Sequence, residues 1–225
     1  MEIIKIGARG SKLSLKQVEE IINKLRELGF EYMTFEIKTY CTRGDVDKVT
    51  PLSEVEGSDF FTDTIEKALL NNEIDVAIHS AKDLPRVLPS GLKIVAVTKS
   101  INPYDALVVR EDLKNCNSLE KLPKGAVIGV SGTRRRQALR KYRSDLRIAD
   151  IRGNIDERLE RLDRGEYDAI IVAACALIRL GLEDRITQEI PFEIIPTHPL
   201  QGCLAVETRE DNFEIGQIFS VLDSK

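Results

Sequence analysis

Residues that bind metals or form disulfide bonds are scarce in this sequence. Of its 225 residues, four are cysteines and two are histidines. The cysteines lie far apart, and neither a CxxC pair nor a cysteine–histidine spacing typical of zinc sites occurs. We therefore predict no metal site. Cys175, in the apolar run IIVAACAL, is most simply a small buried hydrophobic residue.

Long apolar runs are absent as well. No window approaches the ~20 apolar residues that a membrane helix needs. The opening MEIIKIGARG carries an acidic residue and a lysine within a short apolar stretch, which fits neither a signal peptide nor a transit peptide. We expect a soluble cytoplasmic protein without a membrane partner. With 42% hydrophobic residues, the chain can bury the core of one large or two small domains.

Signatures of nucleotide and nucleic-acid binding are also missing. Neither GxxxxGK[ST] nor GxGxxG occurs. The net charge of −4 argues against a dedicated nucleic-acid binder, which is usually basic. Positive charge is nevertheless concentrated between residues 134 and 158. The basic residues there are Arg134, Arg135, Arg136, Arg140, Lys141, Arg143, Arg147, Arg152 and Arg158.

Apolar periodicity predicts strands alternating with helices on either side of the polar segment 99–105, KSINPYD. Repeated βαβ patterns are typical of an α/β fold with mostly parallel sheets covered by helices. We assign residues 1–99 and 196–225 to a first domain and residues 105–195 to a second, although the pattern alone does not place the tail. The predicted strands are 2–7, 33–39, 74–79, 92–97, 106–109, 126–130, 146–151 and 169–173. Helices are predicted around 18–25 and 61–69, from near 134, 155 and 174, and around 211–222.

Three polar clusters directly follow predicted strands, at residues 79–83, 131–135 and 152–154. Ligands of open α/β sheets bind outside the carboxyl ends of strands, and clefts between domains are favoured ligand sites. At strand-to-helix turns, helix amides attract anions and arginine adds bidentate recognition of carboxylate or phosphate. The sequence therefore predicts a polyanionic ligand. The alternative is a solvated surface, where an exposed pair such as Lys82 and Asp83 contributes only about 0 to 1 kcal/mol.

Several motifs resemble those of the hydroxymethylbilane synthase family, also called the porphobilinogen deaminase family. The resemblance covers essentially the whole chain, in order. The motifs are GARGSKLSLKQ (7–17), TRGD (42–45), HSAKDLP (79–85), GVSGTRRRQAL (129–139), IRGNIDERLERLDRGEYDAIIVAACALIRLGL (151–182) and IPTHPLQGCLAVETR (195–209).

The resemblance implies two domains of the type II-like periplasmic-binding-protein fold with a cleft between them. It implies a transferase of haem and tetrapyrrole biosynthesis that joins four porphobilinogen molecules head to tail, releases ammonia and yields hydroxymethylbilane. The chain would grow on a dipyrromethane cofactor, and each pyrrole carries an acetate and a propionate. Asp83 would protonate the departing amine, stabilise the cationic azafulvene intermediate and help remove the later proton.

The resemblance also implies which residues bind cofactor and substrate. Arg158 and Arg179 are weaker candidates, because arginines on helices are more often structural. The binding candidates are Arg9, Ser11, Lys82, Ser131, Arg134, Arg135, Arg152, Gly153 and Gln201.

The sequence departs from the family pattern in three places. The family has a third domain whose cysteine holds the cofactor, and this sequence ends about where that domain should begin. Cys203, in LQGCLA, is either a buried structural cysteine or a substitute attachment point. The family loop GGKGLF corresponds to EGSDFF (56–61), with Ser58 in place of the lysine, and Gly132 replaces a serine. Each lost charge-assisted donor should weaken anion binding by about 1.5 to 3 kcal/mol.

Three interpretations follow. The chain is a minimal hydroxymethylbilane synthase, or a non-catalytic binding protein for tetrapyrroles or small anions, or a subunit that needs a separate third domain. We favour the first interpretation, with a monomeric enzyme, because the Asp83 motif and the arginine turns are intact.

Overall fold

The computed structural model describes residues 3–47, 49–50 and 58–224. These residues form two compact units. Unit 1 comprises residues 3–47, 58–101 and 202–224, and unit 2 comprises residues 49–50 and 102–201. The units differ from the predicted domains at residues 49–50 and 196–201, which lie in unit 2. Glu2 of the first predicted strand and residues 56–57 of the EGSDFF motif lie outside the described residues.

Unit 1 is built on a sheet with the strand order β2-β1-β3-β10-β4. Strand β1 is parallel to β2 and β3, whereas β10 is antiparallel to β3 and β4. The strands are β1 (Ile3–Arg9), β2 (Thr34–Tyr40), β3 (Val76–Ser80), β4 (Leu92–Val97) and β10 (Leu204–Arg209).

Helices cover both faces of this sheet. One face packs on helices α1 (Lys12–Glu27) and α7 (Phe213–Ser220), with a shared core that includes Ile6, Ile78 and Phe219. Helix α1 buries an apolar stripe at helical spacing, which is the reason it docks on the sheet. The other face packs on α3 (Asp63–Leu70), and the short α2 (Arg43–Val46) precedes it in the chain.

Unit 2 has a second sheet with the order β7-β6-β8-β5-β9. Strand β6 is parallel to β7 and β8, whereas β5 is antiparallel to β8 and β9. The strands are β5 (Asp105–Val109), β6 (Val127–Val130), β7 (Arg147–Asp150), β8 (Ala169–Ala173) and β9 (Gln188–Ile190). The helices are α4 (Thr133–Tyr142), α5 (Ile155–Asp163) and α6 (Ala174–Arg179).

The predicted α/β class with mostly parallel sheets is confirmed, and in each sheet one strand of five, β10 or β5, runs against the other four. The sequence pattern alone does not show which strand is reversed. The physical reason is burial. Strands β5 and β8 run in opposite directions, yet both are buried along their whole length and, apart from Asp105 at the start of β5, both are apolar without alternation. Periodicity reports burial and carries no information on strand direction.

Among the described residues, no helix has the length and apolar character needed to span a membrane.

Candidate active site

The acid turn of unit 1 is the 3-10 segment Ala81–Asp83, which follows β3 directly. Its first residue, Ala81, is 2% exposed and packs against Cys203 and Ala205. The amide of Ala81 donates to the carbonyl oxygen of Cys203 at 3.0 Å. Because β10 runs antiparallel to β3, its first residues lie beside the last residues of β3. The start of β10 therefore anchors the acid turn.

Ser80, the last residue of β3, is held by helix α1, which covers the face of the sheet opposite to α3. The side chain of Gln17, 4% exposed on α1, donates to the hydroxyl oxygen of Ser80 at 2.8 Å. On the face covered by α3, Nε2 of His79 lies 3.0 Å from a carboxylate oxygen of Glu207. Side-chain bonds on both faces thus fix the strand end that carries the turn.

Asp83 itself is half-buried at the end of this framework. Within residues 3–47, 49–50 and 58–224, its carboxylate makes no hydrogen bond or ion pair. Lys82, also half-buried, precedes it on the turn. The neighbouring residues take the structural bonds, and the Asp83 carboxylate is left for a ligand or a proton.

Arg9 ends β1, at the same sheet edge as the acid turn because β1 and β3 are parallel. Its guanidinium pairs with Asp45, at 3.1 Å from Nε, and lies 4.7 Å from the centre of the Phe61 ring. Gly44 has no room for a side chain, since a Cβ would lie 2.1 Å from that ring. Burial would raise the pKa of Asp45, but hydrogen bonds from Arg9 and Thr42 outweigh burial and lower the pKa.

Ser11, the neighbouring binding candidate, is the N-cap of α1. Its hydroxyl oxygen accepts from the amide of Ser14 at 3.2 Å. This bond satisfies one of the unpaired amides at the start of the helix.

The arginine turn of unit 2 is the segment 131–135, between β6 and α4. Ser131 is buried, and its hydroxyl donates to the carbonyl oxygen of Ile151. Gly132 is the N-cap of α4 with φ +84°, a backbone conformation that favours glycine. Arg134 is exposed, and in the described part of the chain its guanidinium has no partner. The turn therefore presents Arg134 beside the amides of a helix N-terminus.

Arg135 has a protein partner instead. It forms a bidentate pair with the carboxylate of Asp105, with 2.7 Å from Nε to Oδ2. The Asp105 side chain is only 2% exposed. Gln201, also 2% exposed, donates to the same carboxylate at 2.9 Å and to the carbonyl oxygens of Pro103 and Tyr104. Asp105 thus joins two residues that the resemblance assigns to ligand binding.

The third polar cluster lies at the carboxyl end of β7. The guanidinium of Arg152 donates to the carbonyl oxygen of Thr50, and Arg158 donates to that of Gly153 at 2.8 Å. Gly153 has φ +102° and precedes a capping box between Asn154 and Glu157. Since β6 and β7 are parallel, this cluster and the arginine turn lie at one edge of the unit 2 sheet.

The remaining candidates are Arg179 and the cysteines. Arg179 is the last residue of α6 and is half-buried. Cys203 is 9% exposed, and its backbone anchors the acid turn, which favours the structural interpretation. All four cysteines are free thiols. The described residues contain no cluster of histidine, cysteine or carboxylate side chains with the geometry of a metal site.

Sequence reasoning did not identify the residues that hold the candidates in place. Asp105, Glu207 and Gln17 are all buried polar residues. A buried acid and an exposed acid look alike in a single sequence. The available signal was position, because Asp105 directly precedes the predicted strand 106–109 and Glu207 directly follows the apolar run 204–206.

The family model described as "Porphobilinogen deaminase, dipyromethane cofactor binding domain" matches residues 4–217. Porphobilinogen deaminase of Geobacillus kaustophilus is 45% identical over 100% of this chain and 72% of the relative. The Bacillus subtilis protein is 44% identical over 98% of this chain and 69% of its own length. The Nostoc protein is 41% identical over 98% and 68%.

This chain belongs to the porphobilinogen deaminase family. The match runs along nearly the whole chain, so the motifs lie in the same order as in these relatives. The predicted family is confirmed. The match includes both the acid turn and the arginine turn.

Solved structures support the fold independently of sequence identity. The VFT2 domain of Bordetella pertussis BvgS matches with a TM-score of 0.53 at 14% identity, over 97% of this chain and 85% of that chain. The sulfate-bound regulatory domain of Vibrio vulnificus OxyR2 matches with 0.52 at 13% identity, over 99% and 96%. The predicted type II-like periplasmic-binding-protein fold is confirmed.

The family domain binds dipyrromethane, and the chemistry of the exposed donors fits such a group. A dipyrromethane carries acetate and propionate side chains, so its receptor needs cations and amides. Arg134, exposed beside the N-terminus of the ten-residue helix α4, offers both.

Proposed function

We propose that this deaminase-family chain turns over porphobilinogen with Asp83 as its catalytic acid. The enzyme class is a transferase that joins porphobilinogen units with release of ammonia. One observation carries the assignment of Asp83: its carboxylate has no bond within the described residues, although hydrogen bonds hold the residues before it in place. Such a group is positioned for a ligand rather than for the fold.

The role of Asp83 follows from the bond that breaks. As the carbon–nitrogen bond of porphobilinogen cleaves, the departing amine takes the proton of the Asp83 carboxyl and leaves as ammonia. The resulting carboxylate stabilises the positive charge on the substrate. After the new carbon–carbon bond forms, it accepts the proton that the ring carbon releases, which restores the acid. Proton transfer by a positioned group contributes about 10² to 10⁴ in rate.

Arg134 binds substrate and cofactor carboxylates in this proposal. Its guanidinium is exposed and the start of α4 adds helix amides, whereas Arg135 and Gln201 bind Asp105 and so position the turn. Lys82 and Arg9, both in unit 1, are further candidates for binding these carboxylates. When bound, dipyrromethane supplies the pyrrole carbon to which the first substrate is joined.

The proposal treats the chain as a monomer that acts alone. Its cytoplasmic location stays a prediction from the sequence. Attachment of the cofactor to Cys203 also stays a prediction, and the burial of that thiol weighs against it.

The test incubates the purified protein with porphobilinogen and follows ammonia release, product absorbance and intact mass. We expect turnover by the natural sequence and a loss of about 10² to 10⁴-fold in Asp83→Asn. Asp184→Asn is the matched control, because Asp184 is exposed on a 3-10 turn of unit 2 and far from the acid turn in the chain. It should keep full turnover.

Other results would select the alternatives. Saturable porphobilinogen binding without ammonia release identifies a binding protein. Turnover only after a separately expressed C-terminal domain of a longer relative is added identifies a subunit. A dipyrromethane-sized mass adduct that disappears in Cys203→Ser establishes covalent attachment there.

A further inference from the structure

The pair formed by His79 and Glu207 has no part in the proton transfers described above. His79 is 5% exposed and Glu207 is fully buried, yet both side chains are ionisable. Nε2 of His79 lies 3.0 Å from Oε2 of Glu207. When Glu207 is a carboxylate, which only accepts, the Nε2–H of His79 is the donor of this hydrogen bond.

Strand register explains how the two residues meet. His79 is paired with Ala205 across β3 and β10, so Glu207 is two residues further along the same face. Helix α3 covers this face, and Glu66 on α3 is 3% exposed. The contact therefore ties the end of β3 to the middle of β10 beneath a covering helix.

The other ionisable groups near this pair are Arg209, Asp63 and Glu66. Arg209 donates to the carbonyl oxygens of Leu69 and Ile74, and Asp63 pairs with Arg43. Burial raises the pKa of Glu66, with the Glu207 carboxylate adding to the rise, although the nearby Thr62 hydroxyl and His79 act in the opposite direction. Glu207 is the carboxyl group that lies within hydrogen-bond distance of His79.

A buried polar pair is not the most stable way to fill such a site. Replacing a buried ionic pair with packed apolar side chains is often neutral or stabilising. Stability alone therefore does not explain why an imidazole and a carboxylate lie between α3 and the sheet. A hydrogen bond differs from an apolar contact because it depends on direction. The bond to Glu207 sets the orientation of the His79 ring, four residues before Asp83, whereas an apolar contact would not set it.

We propose that His79 and Glu207 are positioning residues, whose hydrogen bond fixes the end of β3 and thereby the orientation of the Asp83 carboxyl. This inference rests on the proposed role of Asp83. With Gln17 on Ser80 and Cys203 on Ala81, it makes three successive residues before Asp83 that are each bound: Ser80 by α1, and His79 and Ala81 by β10 and the residue that precedes it.

The test separates positioning from stability with two opposite variants. His79→Met combined with Glu207→Leu removes the bond but keeps an apolar, filled site. We expect an unchanged or higher Tm, a fall in kcat of about 10²-fold as expected for a misplaced catalytic group, and KM within about threefold. Thr208→Val is the matched control on β10: it removes the 2.7 Å bond to the carbonyl oxygen of Asp75, at the other end of β3. It should lower Tm and leave kcat unchanged.

A conservative variant keeps the inference testable if the double variant does not fold. In Glu207→Gln the amide oxygen still accepts from His79, so kcat should stay within about threefold of the natural protein. Glu207→Leu alone, measured beside it, should lose kcat. Natural kcat in the double variant, or equal losses in Glu207→Gln and Glu207→Leu, would overturn the inference.

A structural readout distinguishes this inference from the proposed function. Hydrogen exchange of the Ala81 amide, which donates to Cys203, should accelerate at least tenfold in the double variant and not in Thr208→Val. If the natural protein has no turnover, the proposed function fails, and the exchange rates still decide whether the pair holds the turn. Unchanged exchange refutes the inference on its own.

Discussion

The acid turn of unit 1 and the arginine turn of unit 2 hold their functional side chains in different ways. In the acid turn, residues before Asp83 make the structural bonds and the Asp83 carboxylate makes none within the described residues. In the arginine turn, Arg135 itself is bound by Asp105, while its neighbour Arg134 is exposed. Of two adjacent residues in one motif, one is thus bound by another residue of the protein and the other is exposed. A motif identifies the group of residues and leaves this division open.

The largest effect is expected from Asp105→Ala. This change leaves the guanidinium of Arg135 and the amide of Gln201 without their shared carboxylate, in a site where Asp105 is 1% exposed. Removing one partner of a buried pair costs about 3 to 5 kcal/mol of the free energy of unfolding. Urea denaturation monitored by circular dichroism measures the loss.

Two controls sharpen this prediction. Asp112→Ala removes an exposed partner of Arg110 and should lower the free energy of unfolding far less than Asp105→Ala does. Asp83→Ala should change stability by less than about 0.5 kcal/mol, since its carboxylate has no structural bond in the described residues. Equal losses in Asp105→Ala and Asp83→Ala would erase the contrast between the two turns.

A smaller effect is expected from Arg134→Ala, and on binding rather than folding. Loss of a charge-assisted bond to a substrate carboxylate should cost about 1.5 to 3 kcal/mol, which raises KM for porphobilinogen at least tenfold. Steady-state kinetics measures this change. Arg140→Ala, an exposed arginine on the same helix, is the control and should leave KM unchanged. A rise in KM in both variants would instead indicate a general effect of positive charge.

Gly153→Ala tests the backbone of the cluster after β7. A Cβ there would lie 2.6 Å from Oε2 of Glu157, and φ is +102°, so we expect a loss of roughly 1 to 2 kcal/mol in stability. Thermal unfolding measures it. Gly10→Ala in unit 1 is the control, because the nearest atom to its Cβ would be 4.0 Å away. A comparable loss at Gly10 would contradict this steric account.

The smallest effect concerns the acid dependence of unit 2. The hydrogen bond from Arg143 lowers the pKa of Asp145 from 3.8 to about 2. The unfolded chain therefore binds this proton first, and the stabilising contribution is present above pH 3.8 and disappears as pH falls toward 2. In Asp145→Asn, Tm should fall less steeply between pH 4 and 2 than in the natural protein. Identical slopes would show that the pair contributes nothing.

Much of the fold follows from local pattern. The strand 169–173 and the starts of helices at 155 and 174 agree with the structure, because apolar periodicity and capping residues act over a few positions. Strand direction does not follow, and the antiparallel β10 and β5 account for the mixed sheets. These two strands also supply Glu207 and Asp105. The one reversed strand of each sheet is thus also the strand that carries a buried acid not identified from the sequence.

The α/β class, the family and the two motifs that contain the candidate acid and the candidate anion-binding arginines could be predicted from the sequence alone. Which side chains of those motifs form hydrogen bonds or ion pairs with other residues of the protein is visible only in the structure. Asp105 is 30 residues from Arg135 and Glu207 is 128 residues from His79, so no local pattern encodes either contact. The physical reason is that a hydrogen bond depends on distance in space, which long-range strand pairing sets, whereas helices and turns form from neighbours in the chain.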